Sequence, residues 1–306
     1  MNLKKIIIKI CKFLILMLNK FLSIFRLILV PLHYYTPLTE LKDISNQKLL
    51  EKADFSKINY DQSESLSFLN SLEKFIQYFS NLDHFNIGQL NKYGKGYGYL
   101  ESIILQSMIA EIKPKKIIEI GSGISTFCML SALKELNYKF EMLIVDPFVS
   151  KELETLVSKN INITIIKEKA ENVELNNYLN FYADFLFIDT SHAVKPLGDV
   201  DFIYNRLLPK INNCIIHIHD IYFPYLYQNN LKENPWYQWS ETQLLYCYLT
   251  NNNKSKIILN TSELFHNKKD VYKKIFPNIK LAKFEKGLRI DKDIDRYFPS
   301  SIYLQQ

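Results

Sequence analysis

The stretch that most limits what this chain can become is Lys115–Thr126, KKIIEIGSGIST. Ile117 to Ile120 is a short apolar run rich in β-branched side chains, the pattern of a strand buried on both faces in a parallel sheet. It ends in Gly121-Ser122-Gly123, and Ser125 and Thr126 are placed to cap a helix running on to Leu136. Strand, glycine turn and helix N-terminus together make a cradle. The glycines let the backbone approach a ligand closely, and the N–H groups of the first helical turn face it. Glu119 sits inside the strand, so its carboxyl needs a partner, either a cation or a hydroxyl. Thr126 occupies the place of the third glycine in a G-x-G-x-x-G dinucleotide fingerprint, which argues against that fold.

From residue 115 onward, strand candidates at 117–120, 141–145, 162–166, 184–188 and 213–218 alternate with helices expected near 124–136, 150–159, 172–180, 197–208 and 240–251. Alternation of this kind predicts right-handed crossovers and a parallel sheet. Such sheets bind ligands at the carboxyl ends of their strands. A polar group stands there repeatedly: Asp146 after the second strand, Glu171 in the stretch after the third, Asp189 and His192 after the fourth, His219 and Asp220 after the fifth. A carboxylate at the second position can accept both hydroxyls of a ribose. Asp189, His192, His219 and Asp220, from adjacent strand ends, can converge as one chemical site. They could take a proton from a hydroxyl nucleophile or hold a divalent metal. His217 shares a strand face with His219, lies deeper, and reads as a core histidine. Two further strands are expected at 256–260 and 279–290.

Glu119-Ile-Gly121-Ser-Gly123 resembles motif I of the class I S-adenosylmethionine-dependent methyltransferases. The collinear run FIDTSH…GDVDF…LLPKINNCIIHIHDI, within about 91–250, resembles a bacterial branch of that family with many sugar- and polysaccharide-tailoring members. The resemblance implies an α/β, Rossmann-like, doubly wound seven-stranded sheet, mostly parallel with an antiparallel C-terminal strand, plus N-terminal helices. It implies S-adenosyl-L-methionine at Glu119, Gly121, Ser122, Gly123, Asp146, Glu171 and Asp189. His192, His219 and Asp220 are the catalytic candidates for methylating a hydroxyl on a sugar or other cell-envelope or small-molecule acceptor. In metal-dependent O-methyltransferases of this fold, acidic and amide residues after strands four and five hold the ion. Asp189 and Asp220 match those positions and are candidate ligands for Mg2+ or another divalent metal, with His219-Asp220 standing where Asp-Asn is commoner. Two other classes remain open on the residues: a non-haem iron oxygenase, because two histidines and a carboxylate can form a facial triad, and a catalytically silent membrane-tethered binding module.

Charge is informative once it is located. Residues 1–31 carry six of the 38 basic residues and no acid, so the remaining 32 are matched by 32 acidic residues and the body is balanced. A balanced body argues against nucleic acid as partner. Lys5, Lys9, Lys12, Asn19, Lys20, Ser23 and Arg26 form a narrow polar stripe, broken only by Leu16, on an otherwise apolar helix expected over Ile6–Val30. That is the pattern of a basic helix lying in a membrane interface. Four scattered cysteines indicate a reducing compartment and no zinc site. The expected location is cytoplasmic, peripheral at the inner face of the membrane. The expected segments are an interface helix (1–31), a linker and helical cap (32–90) and the methyltransferase domain (91–306). Pro31 and Pro37 bound an aromatic linker at His33–Pro37. Phe68, Leu69, Leu72, Phe75, Ile76 and Phe79 give the cap one apolar face. Asn91–Tyr99, with three of the chain's eight glycines, is expected to close over the cofactor site. The aromatic run 222–239 is expected to form a substrate lid.

Overall fold

The computed structural model of the chain describes residues 3–31, 34–36, 38–94, 96–227, 231, 237–277, 281, 284–285, 288–289 and 298–306. The chain divides into two compact units, Met1–Ser45 and Asn46–Gln306. His33 and Pro37 of the expected linker, Trp236 of the expected lid and most of the strand expected at 279–290 lie outside the described residues.

In the first unit, Leu3–Leu22 is a helix. It ends earlier than expected. Ser23 Oγ donates to the Lys20 carbonyl at 2.8 Å, a local bond that competes with helix continuation. A 3-10 turn, Ser23–Phe25, then closes on Arg26 in left-handed backbone, with φ 57°. Asn19 clasps the chain beyond, accepting from Leu29 N–H at 2.8 Å and donating to its carbonyl at 2.9 Å. Phe13 and Ile24 leave 62% and 74% of their surface exposed. Among the described residues no helix is long and apolar enough to cross a membrane.

The second unit is organised by its sheet. The strands are β1 (Lys116–Ile120), β2 (Glu141–Val145), β3 (Ile163–Ile166), β4 (Phe185–Ile188), β5 (Ile215–Ile218), β6 (Lys256–Asn260) and β9 (Ile302–Gln305). A separate two-stranded ribbon pairs β7 (Phe284–Glu285) with β8 (Leu288–Arg289). The main sheet runs β3-β2-β1-β4-β5-β9-β6. β1 to β5 are parallel, and β9 pairs antiparallel to both β5 and β6. The order reverses between β1 and β4, which opens a crevice at their carboxyl ends.

The apolar strand runs are covered on both faces. Alternation sends Ile117, Phe185 and Phe187 to one side with the helices Tyr99–Ile112 and Ile124–Glu135, and Ile118, Ile120, Leu186 and Ile188 to the other. Leu69, Leu72, Ile76 and Phe79 join the first core, so residues 46–90 belong to the same compact unit as the sheet. The helix expected at 197–208 is shorter and irregular, an α-helix at Asp199–Phe202 passing into a π-turn at Ile203–Leu207. The described strand residues of the segment 279–290, Phe284–Glu285 and Leu288–Arg289, pair with each other and not with the main sheet. The expected place in the main sheet is taken by β9, which sequence reading missed. Its four residues are too few for a periodic signal, and it becomes a strand because the open ladders of β5 and β6 receive it on both sides.

Ile302, Tyr303 and Leu304 are fully buried. At roughly 1.5–3 kcal/mol each, their removal claims much of a typical stability of about 5–15 kcal/mol, before the orphaned ladders are counted. Deleting residues 300–306 should abolish cooperative thermal unfolding followed by circular dichroism. A truncated chain that melts like the full one would contradict this account of the sheet.

Candidate active site

The register aligns the strand ends. Ile120 lies beside Val145 and Ile188, and Ile188 beside Ile218. The ladders then run one residue further: Gly121 N–H donates to Val145, Asp189 N–H to Ile120 and His219 N–H to Ile188, at 2.9–3.0 Å. Asp146 N–H reaches Ile166 at 3.1 Å. Gly121, Asp146, Asp189 and His219 therefore share one rim.

Gly121 has φ +82°, and a Cβ there would stand 1.9 Å from the Asp189 carbonyl oxygen. Only glycine permits β1 and β4 to come this close. Ser122 N–H and Oγ both donate to Asp146 Oδ2, at 3.0 and 2.5 Å, while Asp146 Oδ1 accepts Phe148 N–H at 2.7 Å. Gly123 N–H donates to Thr126 Oγ1 at 3.0 Å. From the glycine loop, a Cβ on Gly94 would stand 2.5 Å from Gly123 Cα, so that loop rests directly on the turn.

Glu119, expected among the ligand contacts, is engaged by hydroxyls of the protein itself. It is fully buried, and its two oxygens accept the hydroxyls of Ser125 and Thr126 at 2.7 Å each. Burial pushes its pKa up to about 8, against the lowering effect of those hydroxyls. Glu119 fastens the turn to the helix as a neutral acid. Glu171 lies partly exposed in the 3-10 turn Ala170–Asn172 after β3.

The other side of the crevice holds a chain of acids and imidazoles. Asp189 Oδ1 lies 3.2 Å from His192 Nε2 and 3.3 Å from His219 Nδ1. His192 Nδ1 lies 2.8 Å from Glu241 Oε2, and His219 Nε2 lies 3.1 Å from Glu101 Oε2. Asp220 is near both rings, at 3.6 and 3.7 Å, and accepts Tyr222 OH and Ser300 Oγ. Burial works against charge on His192, but Asp189, Glu241 and Asp220 outweigh it and hold its pKa up at about 10. Burial likewise opposes charge on His219, and Asp220, Glu101 and Asp189 raise its pKa well above the usual range. Burial would raise Asp189, yet the two rings hold it well below the ordinary carboxylate range. His192 and Asp220 both adopt left-handed backbone at φ 55°, an uncommon conformation that clusters at functional sites.

The ligand atoms of Asp189, His192 and His219 all lie within 4.8 Å of one another. The expected metal pair was Asp189 and Asp220. Asp220 stands one step out, with Oδ1 taken by two hydroxyls. Sequence reading missed Glu101, Glu241 and Ser300. Glu101 and Glu241 were visible only as acids in the first turns of otherwise apolar helices. His217 is core as expected, stacked 4.4 Å from Phe187 with burial keeping it neutral, although neither ring nitrogen finds a hydrogen bond. The aromatic lid is partly core as well. Tyr222, Phe223 and Tyr225 are buried, whereas Trp239 covers His192 with ring centroids 4.6 Å apart.

Strand order, switch point, glycine turn and the acid beside it define the class: a Rossmann-like α/β protein built to bind a nucleoside cofactor at its strand ends. Residues 118–221 match a family model described as "Methyltransferase domain". This part of the chain is a class I S-adenosylmethionine-dependent methyltransferase domain. An uncharacterized protein of Archaeoglobus fulgidus is 22% identical over 155 residues, 48% of this chain and 70% of that one. Among solved structures, a Podospora anserina methyltransferase with bound S-adenosylhomocysteine is 16% identical with a TM-score of 0.39, over 57% of this chain and 80% of that one. A branched-chain polyamine synthase of Thermus thermophilus is 10% identical with a TM-score of 0.41, over 70% of this chain and 57% of that one.

Glu119 carries a pH signature. Its folded pKa, about 8, is above its ordinary value of 4.5, so the stability it contributes is whole below the latter and is lost as pH rises through the former. Glu119→Gln, which copies the neutral acid, should therefore melt at temperatures increasingly above the natural chain between about pH 5 and about pH 9. Parallel melting curves for the two proteins would contradict the buried neutral acid.

Proposed function

We propose that this chain methylates a hydroxyl group on a small-molecule or glycan acceptor, in the cleft between the Gly121–Gly123 turn and the Asp189, His192, His219, Asp220 cluster. One observation carries the reading. Asp189 belongs to both halves: its carbonyl packs on Gly121 and its carboxylate joins the two imidazoles. A donor on the turn and an acceptor on the cluster are then neighbours.

When bound, S-adenosylmethionine supplies a methyl group activated by its sulfonium. The protein's share is positioning more than acid–base power. Asp146 fits a ribose diol, because Oδ1 is engaged only by Phe148 N–H and retains lone pairs. In this reading Gly121, Ser122 and Gly123 give backbone access, Glu171 serves the adenine side, and Asp189 borders the donor. Glu119 positions the turn. Asp220 takes the acceptor's proton as the methyl moves, while His192 and His219 hold Asp189 and shape the acceptor side of the cleft. Trp239 walls the acceptor side and keeps His192 in place.

Calorimetry with S-adenosylhomocysteine tests the cofactor half. Gly121→Val should abolish binding, and Asp146→Ala should weaken it about 10–100-fold through lost charge-assisted hydrogen bonds. A folded wild-type sample without binding, or unaltered binding by Gly121→Val, overturns it. Labelled cofactor offered with a cell-envelope extract tests the acceptor half. The label should appear as an O-methyl ether, and Asp220→Asn should lower kcat about 100-fold or more while cofactor affinity is kept. Label found only on nitrogen would overturn the hydroxyl assignment.

In the same reading, residues 1–31 lie on an anionic lipid surface at the inner face of the membrane, 32–90 link and cap, and 91–306 carry the reaction. The exposed apolar side chains of the Leu3–Leu22 helix, with Lys9, Lys12 and Lys20 beside them, support this. The full chain should sediment with phosphatidylglycerol vesicles and far less with phosphatidylcholine ones. Replacing Lys9, Lys12 and Lys20 by Glu should release it, and vesicle binding indifferent to those changes would sink the assignment.

A further inference from the structure

We propose that Asp189, His192 and His219 hold a divalent first-row transition ion, of the zinc, iron or cobalt kind, rather than Mg2+. The inward-facing nitrogens of the two rings approach one carboxylate oxygen, Asp189 Oδ1, at 3.2 and 3.3 Å. Metal–ligand bonds of about 2.1 Å give ligand–ligand edges of roughly 3.0 Å in an octahedral arrangement and roughly 3.4 Å in a tetrahedral one, so these two edges suit either, and the ring nitrogens lie within 4.8 Å of each other.

The outward-facing nitrogens are each held by a buried carboxyl group. Glu241 faces His192 Nδ1 at 2.8 Å and Glu101 faces His219 Nε2 at 3.1 Å. A carboxylate behind each imidazole fixes the ring and its tautomer, and metal-binding histidines almost always have such a partner. Glu101 is itself held, accepting Ser300 N–H at 3.1 Å and the hydroxyl of Ser301. His219 Nδ1 is buried, and its 3.3 Å contact with Asp189 Oδ1 lacks hydrogen-bond geometry, so it points into the same centre without a hydrogen-bond partner. Asp220 Oδ2, 3.6 Å from His192 Nε2, is placed as a fourth ligand or as the partner of a bound water.

Around this centre, carboxyl groups outnumber imidazoles four to two, Glu101, Asp189, Asp220 and Glu241 against His192 and His219, which leaves room for positive charge. The ligand chemistry selects the ion. Mg2+ prefers oxygen ligands and keeps much of its water, whereas two imidazoles with a carboxylate suit first-row transition ions. This set departs from the oxygen-only pair Asp189 and Asp220 that the family resemblance implied.

The site shares its cleft with the proposed methyl transfer but stands on ligand geometry, so its test omits the cofactor. The full chain, stripped with chelator, is titrated with Co2+ and followed by visible absorption and metal analysis. The expected result is about one equivalent per chain, displaced by Zn2+ and not by a hundredfold excess of Mg2+. His192→Ala and His219→Ala should each lower Co2+ affinity at least about 100-fold, with native circular dichroism and cooperative melting. Glu101→Gln and Glu241→Gln should each lower it about 10–100-fold. Should an alanine variant fail to fold, His192→Asn carries the same test. Absence of cobalt bands in folded wild-type protein, or bands surviving in the double histidine variant, overturns the proposal. S-adenosylhomocysteine calorimetry on the same samples separates this failure from a failure of the methyltransferase reading.

Discussion

Two parallel strands, β1 and β4, end so close together that a single methyl group between them would collide with backbone. Everything at the site depends on that approach. Gly121 turns away at φ +82° over the Asp189 carbonyl, and the turn it begins leads to the helix at Ile124. Because the neighbouring strands end in the same register, Asp146 and His219 arrive on the same rim without any loop having to place them. Hydrogen-bond ladders set these positions, and ladders are stiffer than loops. A cofactor seated on this rim is therefore held by a rigid edge, which suits a transfer governed by positioning.

The cost of such a rim is buried polarity, and the structure handles it in two ways. Under the turn, Glu119 is paired with two hydroxyls and kept neutral, so the strand can carry an acid through the core. Beyond the turn, charge is retained and paired. Asp189 lies between two imidazoles, and each imidazole lies against a second carboxyl group. A buried network of this kind rigidifies when its members are satisfied and destabilises when one is removed. The left-handed backbone at His192 and Asp220 fits that picture, since uncommon conformations persist where surroundings over-determine them.

Closure of the site depends on segments remote in sequence. Glu101 comes from the helix before β1, Glu241 from the helix after β5, and Ser300 from the lead into β9. The backbone of His192 accepts the N–H groups of Ser240 and Glu241, so the loop after β4 also starts the helix that supplies its own carboxyl partner. Trp239 lies on His192 from the same segment. The residues after β5 divide between core and cleft. Phe223 packs against Phe55 inside, while Tyr222 turns its hydroxyl to Asp220.

By itself the sequence determined the strand–turn–helix at 115–136, the alternation that makes a parallel sheet, and the polar residue after each of four strands. These are local: a β-branched apolar run, a glycine pair and a period of two are written within a few neighbouring residues. Asp146, Asp189, His192, His219 and Asp220 were legible for that reason. Only the tertiary structure decided who partners them. Glu101 lies 118 residues from His219 and Glu241 lies 49 from His192, and no local pattern records such pairings. It also decided that Glu119 finds hydroxyls within its own turn, and that β9 is a strand at all, because a four-residue segment acquires that form from the ladders on either side of it.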